Sequence, residues 1–316
     1  MPTLQSRLFL FALRYRNLLC FQLKRKPTVD WNTSIPDLRR KTEKPGKLFG
    51  KLPSGIEVSP VAIDGLQAEW VLPSHSTNEK LILYFHGGGY VIGSPAGHRL
   101  HVAKVVKGSG VGALVFDYRL APEHPFPAAI DDSVAAYRFL LAEGVLHSRI
   151  VFMGDSAGGG LCLATLLALR DQGIPLPEAA VALSPWTDLK CTGESLKTNE
   201  KVDTLTWRES WTVFSKYYAG ENDPSLPLIS PLYGDLHGLP TMLIYVGGDE
   251  LLRDDSTRFA EKAKDAGVDV TLRVGEGMFH CYPVCAPLFP EASRAMDEIC
   301  AFIKTCTGDK PEYQQT

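Results

Sequence analysis

Ser156 stands in VFMGDSAGGG, where an apolar run suited to a buried strand turns at once into the helix-like LCLATLLAL, with a glycine two positions to either side of the serine. A corner of that kind lifts the hydroxyl above the sheet in a strained backbone conformation. Side chains at positions 154 and 158 would collide across it, so both are glycine. The hydroxyl then lies at the start of a helix and at the carboxyl end of the strands, where open α/β sheets place their ligands. An alcohol is a weak nucleophile until a base takes its proton, so the serine implies a histidine within reach and an acid to orient it. His280, in GEGMFH, follows the last predicted strand, VDVTLRV, and reaches the same end of the sheet. His86 belongs to a separate motif, and His75, His98, His101, His124, His147 and His237 fall in polar loops or helix-like stretches elsewhere. The expected acid is Asp249, delivered at the end of TMLIYVGG, with Glu250 as the alternative. Asp254 and Asp255 precede a helix expected to begin near Ser256 and are assigned to capping its amides.

A second motif follows LILYF: HGGGYVIGS. Attack on a carbonyl leaves negative charge on its oxygen, and backbone N–H groups already aimed there stabilise it without reorganising. Glycines let a backbone approach that closely, so Gly87, Gly88 and Ala157 are the expected oxyanion-hole donors, with Gly89 serving the bend and His86 bracing the loop. A phosphate-binding loop is disfavoured, because no Lys-Ser/Thr follows and the GxGxxG spacing is absent. In DYRLAPEHPFPAA, three prolines with Asp117, Arg119 and Glu123 suggest a rigid crossing braced by one local charge network.

These groups need a frame, and the chain offers one. LILYF, GALVFDY, RIVFM, AAVALS, TMLIYVGG and VDVTLRV are short, apolar on both faces and separated by helix-sized segments. That pattern predicts an α/β architecture, a mostly parallel central sheet flanked by helices. GIEVSPVAI and LQAEWVLP alternate more and are joined by Asp-Gly, which predicts an antiparallel hairpin at the sheet edge. Residues 1–50 and 187–235 break the alternation and are expected to form two parts of a helical cap. The core is then split into 51–186 and 236–316.

A chain of 316 residues, 45% of them hydrophobic, can bury a large core, and with its formal charge of −3 no nucleic-acid partner is expected. Seven cysteines without a CxxC pair give neither a disulfide framework nor a zinc site, which points to a reducing, cytoplasmic setting. Cys281 and Cys285 read as packing residues, with a redox pair as the alternative. The N-terminal RLFLFALRYRNLLCFQLKRK is apolar and basic, yet too interrupted for a signal sequence or a membrane span. It reads as a helix packed on the body of the protein, and its composition also suits peripheral contact with a membrane surface.

Taken together, HGGGY at 86–90, DYRLAPEHPFPAA at 117–129, GDSAGGG at 154–160, the Asp249 segment and GMFH at 277–280 resemble the hormone-sensitive-lipase group of α/β-hydrolases. The order Ser156, Asp249, His280 is the chain order of that fold. The resemblance covers about Leu81 to the C-terminus. It implies a helical cap, a homodimer, and a serine carboxylesterase acting on esters of short or medium acyl chains through an acyl-enzyme, with no metal or organic cofactor. An amidase or deacetylase with the same triad, or a non-catalytic small-ligand receptor of the same fold, are the competing readings. A dehalogenase or epoxide hydrolase would carry Asp in place of Ser156. The chain departs from the group at Glu250, where Pro or another apolar residue is common, and at Cys281-Tyr282, where Gly-Phe is common. Tyr90, Trp186, Trp207, Phe214 and Phe279 are each open to a place in the core or in the pocket.

Overall fold

The six apolar runs become strands β3 to β8 in the computed structural model, which describes residues 2–15, 29–42, 51–74 and 79–308. They are Leu81–Phe85, Gly112–Phe116, Ile150–Asp155, Ala179–Leu183, Thr241–Gly247 and Val270–Gly275. Ahead of them β1 (Ile56–Ile63) and β2 (Leu66–Pro73) form the expected hairpin, and Asp64 and Gly65 both take positive φ at its turn, 47° and 91°. The sheet runs β1-β2-β4-β3-β5-β6-β7-β8, with β1–β2 and β2–β4 antiparallel and every other pair parallel.

Side chains alternate across this sheet with a period of two, so β3 sends Leu81, Leu83 and Phe85 to one core and Ile82 and Tyr84 to the other. On the first side lie helices α4 (Ala128–Ala142), α5 (Ala157–Asp171) and α8 (Arg253–Asp265). On the second lie α3 (Pro95–Ser109) and α9 (Pro290–Thr307). Cover on both faces is why β3 to β6 are buried at every residue and read as unbroken apolar runs. Helix α5 is buried from Ala157 to Leu169, which explains its lack of a polar stripe. The chain leaves β3 for β4 on one side and β5 for β6 on the other. The adjacent carboxyl ends of β3 and β5 therefore flank a crevice at the point where the winding reverses.

The two stretches that break the alternation meet each other. Helix α7 (Arg208–Ala219) follows the short α6 (Ser195–Thr198). The Val29 N–H donates to Ser210 Oγ on α7 at 3.0 Å, and Trp31 lies edge-on to Tyr217. Helix α2 (Ile35–Thr42) carries Arg39, which donates to the carbonyl oxygens of Val91 and Ala121 beside the glycine loop. Helix α1 (Leu4–Arg14) packs on α9, where Thr3 and Ser6 donate to Glu291 and Phe9 contacts Phe289. Among the described residues no helix is long and apolar enough to cross a membrane, and no cysteine is in a disulfide. The basic stretch at 16–28 with Cys20, residues 43–50 and His75 lie outside the described residues.

Two local expectations change. Arg119 pairs with Asp132 on α4 at 2.7 Å, and Glu123 pairs with Arg39 at 2.7 Å, so the crossing is braced by two partners from elsewhere and not by one internal network. Helix α8 starts at Arg253, with Leu252 before it and no side-chain cap, which puts Asp254 and Asp255 inside its first turn. From there they hold the neighbouring chain. Asp254 accepts from the Ser195 N–H, and Asp255 accepts from the N–H groups of Thr187 and Asp188 at 3.0 and 2.8 Å.

Candidate active site

Strand β5 ends at Asp155, and Ser156 takes φ 57° and ψ −124° before α5 begins at Ala157. A non-glycine residue there is strained, and the surroundings enforce it. The Ser156 N–H donates to the Leu183 carbonyl, while its own carbonyl accepts from Gly160 and Trp186. A Cβ on Gly154 would overlap the Gly158 carbonyl, and one on Gly158 would overlap the carbonyls of Phe85 and His86. Gly158→Ala is therefore expected to lower the unfolding free energy by roughly 3 kcal/mol, because the clash is with backbone that cannot swing away. The midpoint of urea unfolding measures it.

His280 Nε2 lies 2.9 Å from Ser156 Oγ, and His280 Nδ1 lies 3.0 Å from Glu250 Oε1. The serine and histidine expected from the sequence are thus brought together. Asp249 is not the residue that meets the imidazole. In the turn after β7 the Asp249 N–H is tied to the Met278 carbonyl, and its side chain faces a groove lined by Arg7, Arg14 and Thr204. Glu250, one residue on, points inward and is fully buried. Its Oε2 accepts from Ser184 Oγ at 2.7 Å and from the Gly247 N–H at 2.8 Å, leaving Oε1 for the histidine. Burial alone would lower the His280 pKa, but Cys281 and Glu250 hold it well above the ordinary imidazole value. Burial pushes the Cys281 thiol up, so it is uncharged at neutral pH and the Glu250 carboxylate is the working cause.

The glycine loop corrects a second expectation. The Gly87 N–H is occupied by Asp155 Oδ1 at 3.1 Å. The chain then turns through Gly88 and Gly89 with φ 126° and 63°. Among the described residues the N–H groups of Gly88, Gly89 and Ala157 meet no acceptor. Gly88 and Gly89 line the cavity beside Ser156 and Ala157 follows it in the chain, whereas the Gly87 N–H is already committed. The run of three glycines marks the loop in the sequence, but which of the amides is consumed depends on Asp155. His86 braces the loop as expected: its Nδ1 is 2.9 Å from the Gly87 carbonyl, its ring stacks on Tyr118, and burial pushes its pKa down to about 3.

Beneath the loop, Asp155 Oδ1 also accepts from Tyr84 Oη at 2.7 Å, and Tyr84 Oη meets His101 Nε2 at 2.8 Å. Burial works against charge here, yet His98, 3.6 Å away, draws Asp155 well below the usual carboxylate range. The ligand-capable atoms of His98, His101 and Asp155 lie within 4.8 Å of one another. Tyr84 and Gly87 donate to the carboxylate, so hydrogen bonding accounts for the cluster.

The site opens into a cavity of about 530 Å³ whose walls include Leu205, Trp207, Trp211, Phe214, Phe279 and Val284. Of the aromatic residues left open by the sequence, Trp207, Phe214 and Phe279 line it, while Tyr90 and Trp186 are buried in the core. Trp211 was not anticipated. It lies edge-on to His280 with centroids 5.6 Å apart, and its spacing from Phe214 and Tyr218 (i, i+3, i+7) marks them as one helix face in the sequence. Cys281 and Cys285 contribute buried thiols to the same wall. A second groove, of about 450 Å³, lies at Trp70, Leu81 and Arg149, at the amino ends of the strands and away from the serine.

A strained serine after a parallel strand, bonded to a histidine that is bonded to a buried carboxylate, defines a serine hydrolase on an eight-stranded, mostly parallel sheet. The α/β-hydrolase-fold family matches residues 82–284, and the chain belongs to that family. It is 41% identical over 285 residues to an acetyl-hydrolase of Streptomyces hygroscopicus, covering 89% of this chain and 94% of that one. A crystal structure of an esterase from the bacterial hormone-sensitive lipase family superposes with a TM-score of 0.87 at 40% identity, over 98% of this chain and 100% of the other. The structure of EstE5 soaked with p-nitrophenyl butyrate superposes with a TM-score of 0.88 at 38% identity, over 96% and 99%. Within the family this chain sits among the hormone-sensitive-lipase-like bacterial esterases and is a carboxylic ester hydrolase.

Proposed function

We propose that ester hydrolysis takes place at Ser156 by two-step acyl transfer, with His280 as base and acid and Glu250 as the carboxylate that orients it. The observation that carries this reading is the unbroken relay from Ser156 Oγ through the imidazole to Glu250, with steps of 2.9 and 3.0 Å. Ser156 Oγ adds to the acyl carbonyl as its proton passes to His280 Nε2. The oxyanion is received by the N–H groups of Gly88, Gly89 and Ala157. The C–O bond then breaks, the alcohol leaves with the proton from Nε2, and water repeats the sequence to release the acid and restore the serine. A fluorophosphonate probe tests it: covalent labelling is expected at Ser156 and lost on Ser156→Ala, whereas no labelling of the native protein would indicate a binding module.

We further propose short- to medium-chain acyl esters as substrates, with α2, α7 and the segments around them acting as a cap. The walls near the serine are apolar and the space is limited. Each methylene that reaches such a wall adds about 0.8 kcal/mol, roughly fourfold in kcat/KM. Across p-nitrophenyl esters, kcat/KM is expected to climb from acetate to butyrate or hexanoate and to fall about tenfold or more by palmitate. Palmitate turning over as fast as butyrate would remove the proposal. Reduced, buried thiols fit a cytoplasmic location, and a homodimer is the assembly suggested by the family resemblance.

A further inference from the structure

Helix α1 has two apolar faces, and only one of them is docked on the protein along its length. Ser6, Phe9, Leu10 and Leu13 turn toward the protein, with Phe9 between Phe279 and Phe289. Leu4, Leu8, Phe11 and Tyr15, spaced i, i+4, i+7 and i+11, are 73, 62, 59 and 40% exposed, with Phe11 and Tyr15 packed on each other at the rim of the groove that holds Asp249. At 1.5 Å per residue that stripe is about 17 Å long. A soluble helix carries polar residues on that side, so an exposed apolar stripe beside a docked one marks a surface with a further occupant.

The charge pattern says which occupant. Arg7 and Arg14 flank the stripe, and both are exposed. Up to Asp30 the chain holds six basic residues, Arg7, Arg14, Arg16, Lys24, Arg25 and Lys26, and no Asp or Glu. Two carboxylates face the helix from the body of the protein, Asp249 in the groove beside Arg7 and Arg14 and Glu291 bonded to Thr3 and Ser6, so the positive excess is carried by the sequence as a whole up to Asp30. A second copy of the chain packed on the stripe would bring two such cationic segments together. An anionic bilayer would instead receive Leu4, Leu8 and Phe11 among its acyl chains, with the arginine stems reaching out to its phosphates.

We infer that α1 is an interfacial anchor that seats the protein on anionic lipid surfaces through the Leu4, Leu8, Phe11 and Tyr15 stripe and its arginine flank. The seat is next to the chemistry: Phe279 stacks near Phe9 with centroids 6.0 Å apart, lines the site cavity and immediately precedes His280. Esters dissolved in the lipid surface would thus be held near the mouth of the cavity. The lipid binding itself stands apart from the ester-hydrolysis reading, because it is measured without turnover.

The test is co-sedimentation of the full chain with phosphatidylcholine vesicles, with and without about a third phosphatidylglycerol. Binding to the anionic vesicles is expected to exceed binding to neutral ones at least tenfold at low salt, and to weaken as salt rises. Leu8→Glu with Phe11→Glu should lower it about tenfold or more, while melting temperature and hydrolysis of soluble p-nitrophenyl butyrate stay unchanged. Arg7→Gln and Arg14→Gln should each cost about fivefold on anionic vesicles and little on neutral ones. Failure to sediment with either vesicle, equal binding to both, or full binding by the double-glutamate variant would each overturn the inference. So would a dimer in light scattering that the double-glutamate change converts to monomer, because a second copy would then be the occupant.

Discussion

Ser156→Ala lowers kcat for p-nitrophenyl butyrate by about a millionfold, the order lost when the nucleophile of a serine triad is removed. The size of the effect follows from what the site retains without the hydroxyl. Water must attack unaided, since His280 Nε2 has lost the group it was positioned to deprotonate at 2.9 Å. The proposed donors at Gly88, Gly89 and Ala157 are untouched by the substitution, so some catalysis over bulk water is expected to persist. The substitution removes one oxygen from a buried corner that already accepts only a small residue, so folding should be intact. An unchanged melting temperature together with a lost burst of p-nitrophenol separates chemistry from stability. A variant that hydrolyses the ester within tenfold of the native rate would place the nucleophile elsewhere.

Where backbone pattern alone decides structure, the sequence was legible. β3 begins and ends with LILYF, and the hairpin turn falls on Asp64-Gly65, because apolar runs covered on both faces and the Asp-Gly signal have few other solutions. Ser156 was legible for the same reason: only a sharp corner needs glycine at both 154 and 158. What failed was side-chain direction within turns. Asp249 and Glu250 are adjacent, and one residue of displacement decides which carboxylate points beneath the histidine and which toward α1. Gly87 and Gly89 differ by two positions in a run of identical residues, and the difference is made by Asp155, which lies 68 positions from Gly87 along the chain. Arg119 and Glu123 likewise chose partners from α4 and α2 instead of each other. Pairings of this kind are set by tertiary approach, which no local pattern records.

The adjacent carboxylates supply the second large expected effect. Glu250→Gln lowers kcat by about ten thousandfold, whereas Asp249→Asn changes kcat/KM by less than about threefold. The glutamine can donate its amide N–H to His280 Nδ1, which favours the tautomer with the proton on Nε2. That nitrogen then cannot accept from Ser156, and the imidazolium formed during attack has lost its counter-charge. Ser184 Oγ and the Gly247 N–H, which donate to Oε2 in the native protein, can still donate to an amide oxygen, so the side chain stays in place. The pH profile gives an independent check on the same residue. With the His280 pKa raised, kcat/KM climbs as the imidazolium deprotonates, on an acid limb above the ordinary imidazole range. Removing the negative charge favours the neutral ring, so Glu250→Gln moves that limb to lower pH while the plateau falls. Asp249→Asn leaves the limb near its native position, because its carboxyl faces the groove below α1 and does not bond the imidazole. If Asp249→Asn instead took the ten-thousandfold loss and moved the limb while Glu250→Gln kept the native rate, the relay would have to run through position 249.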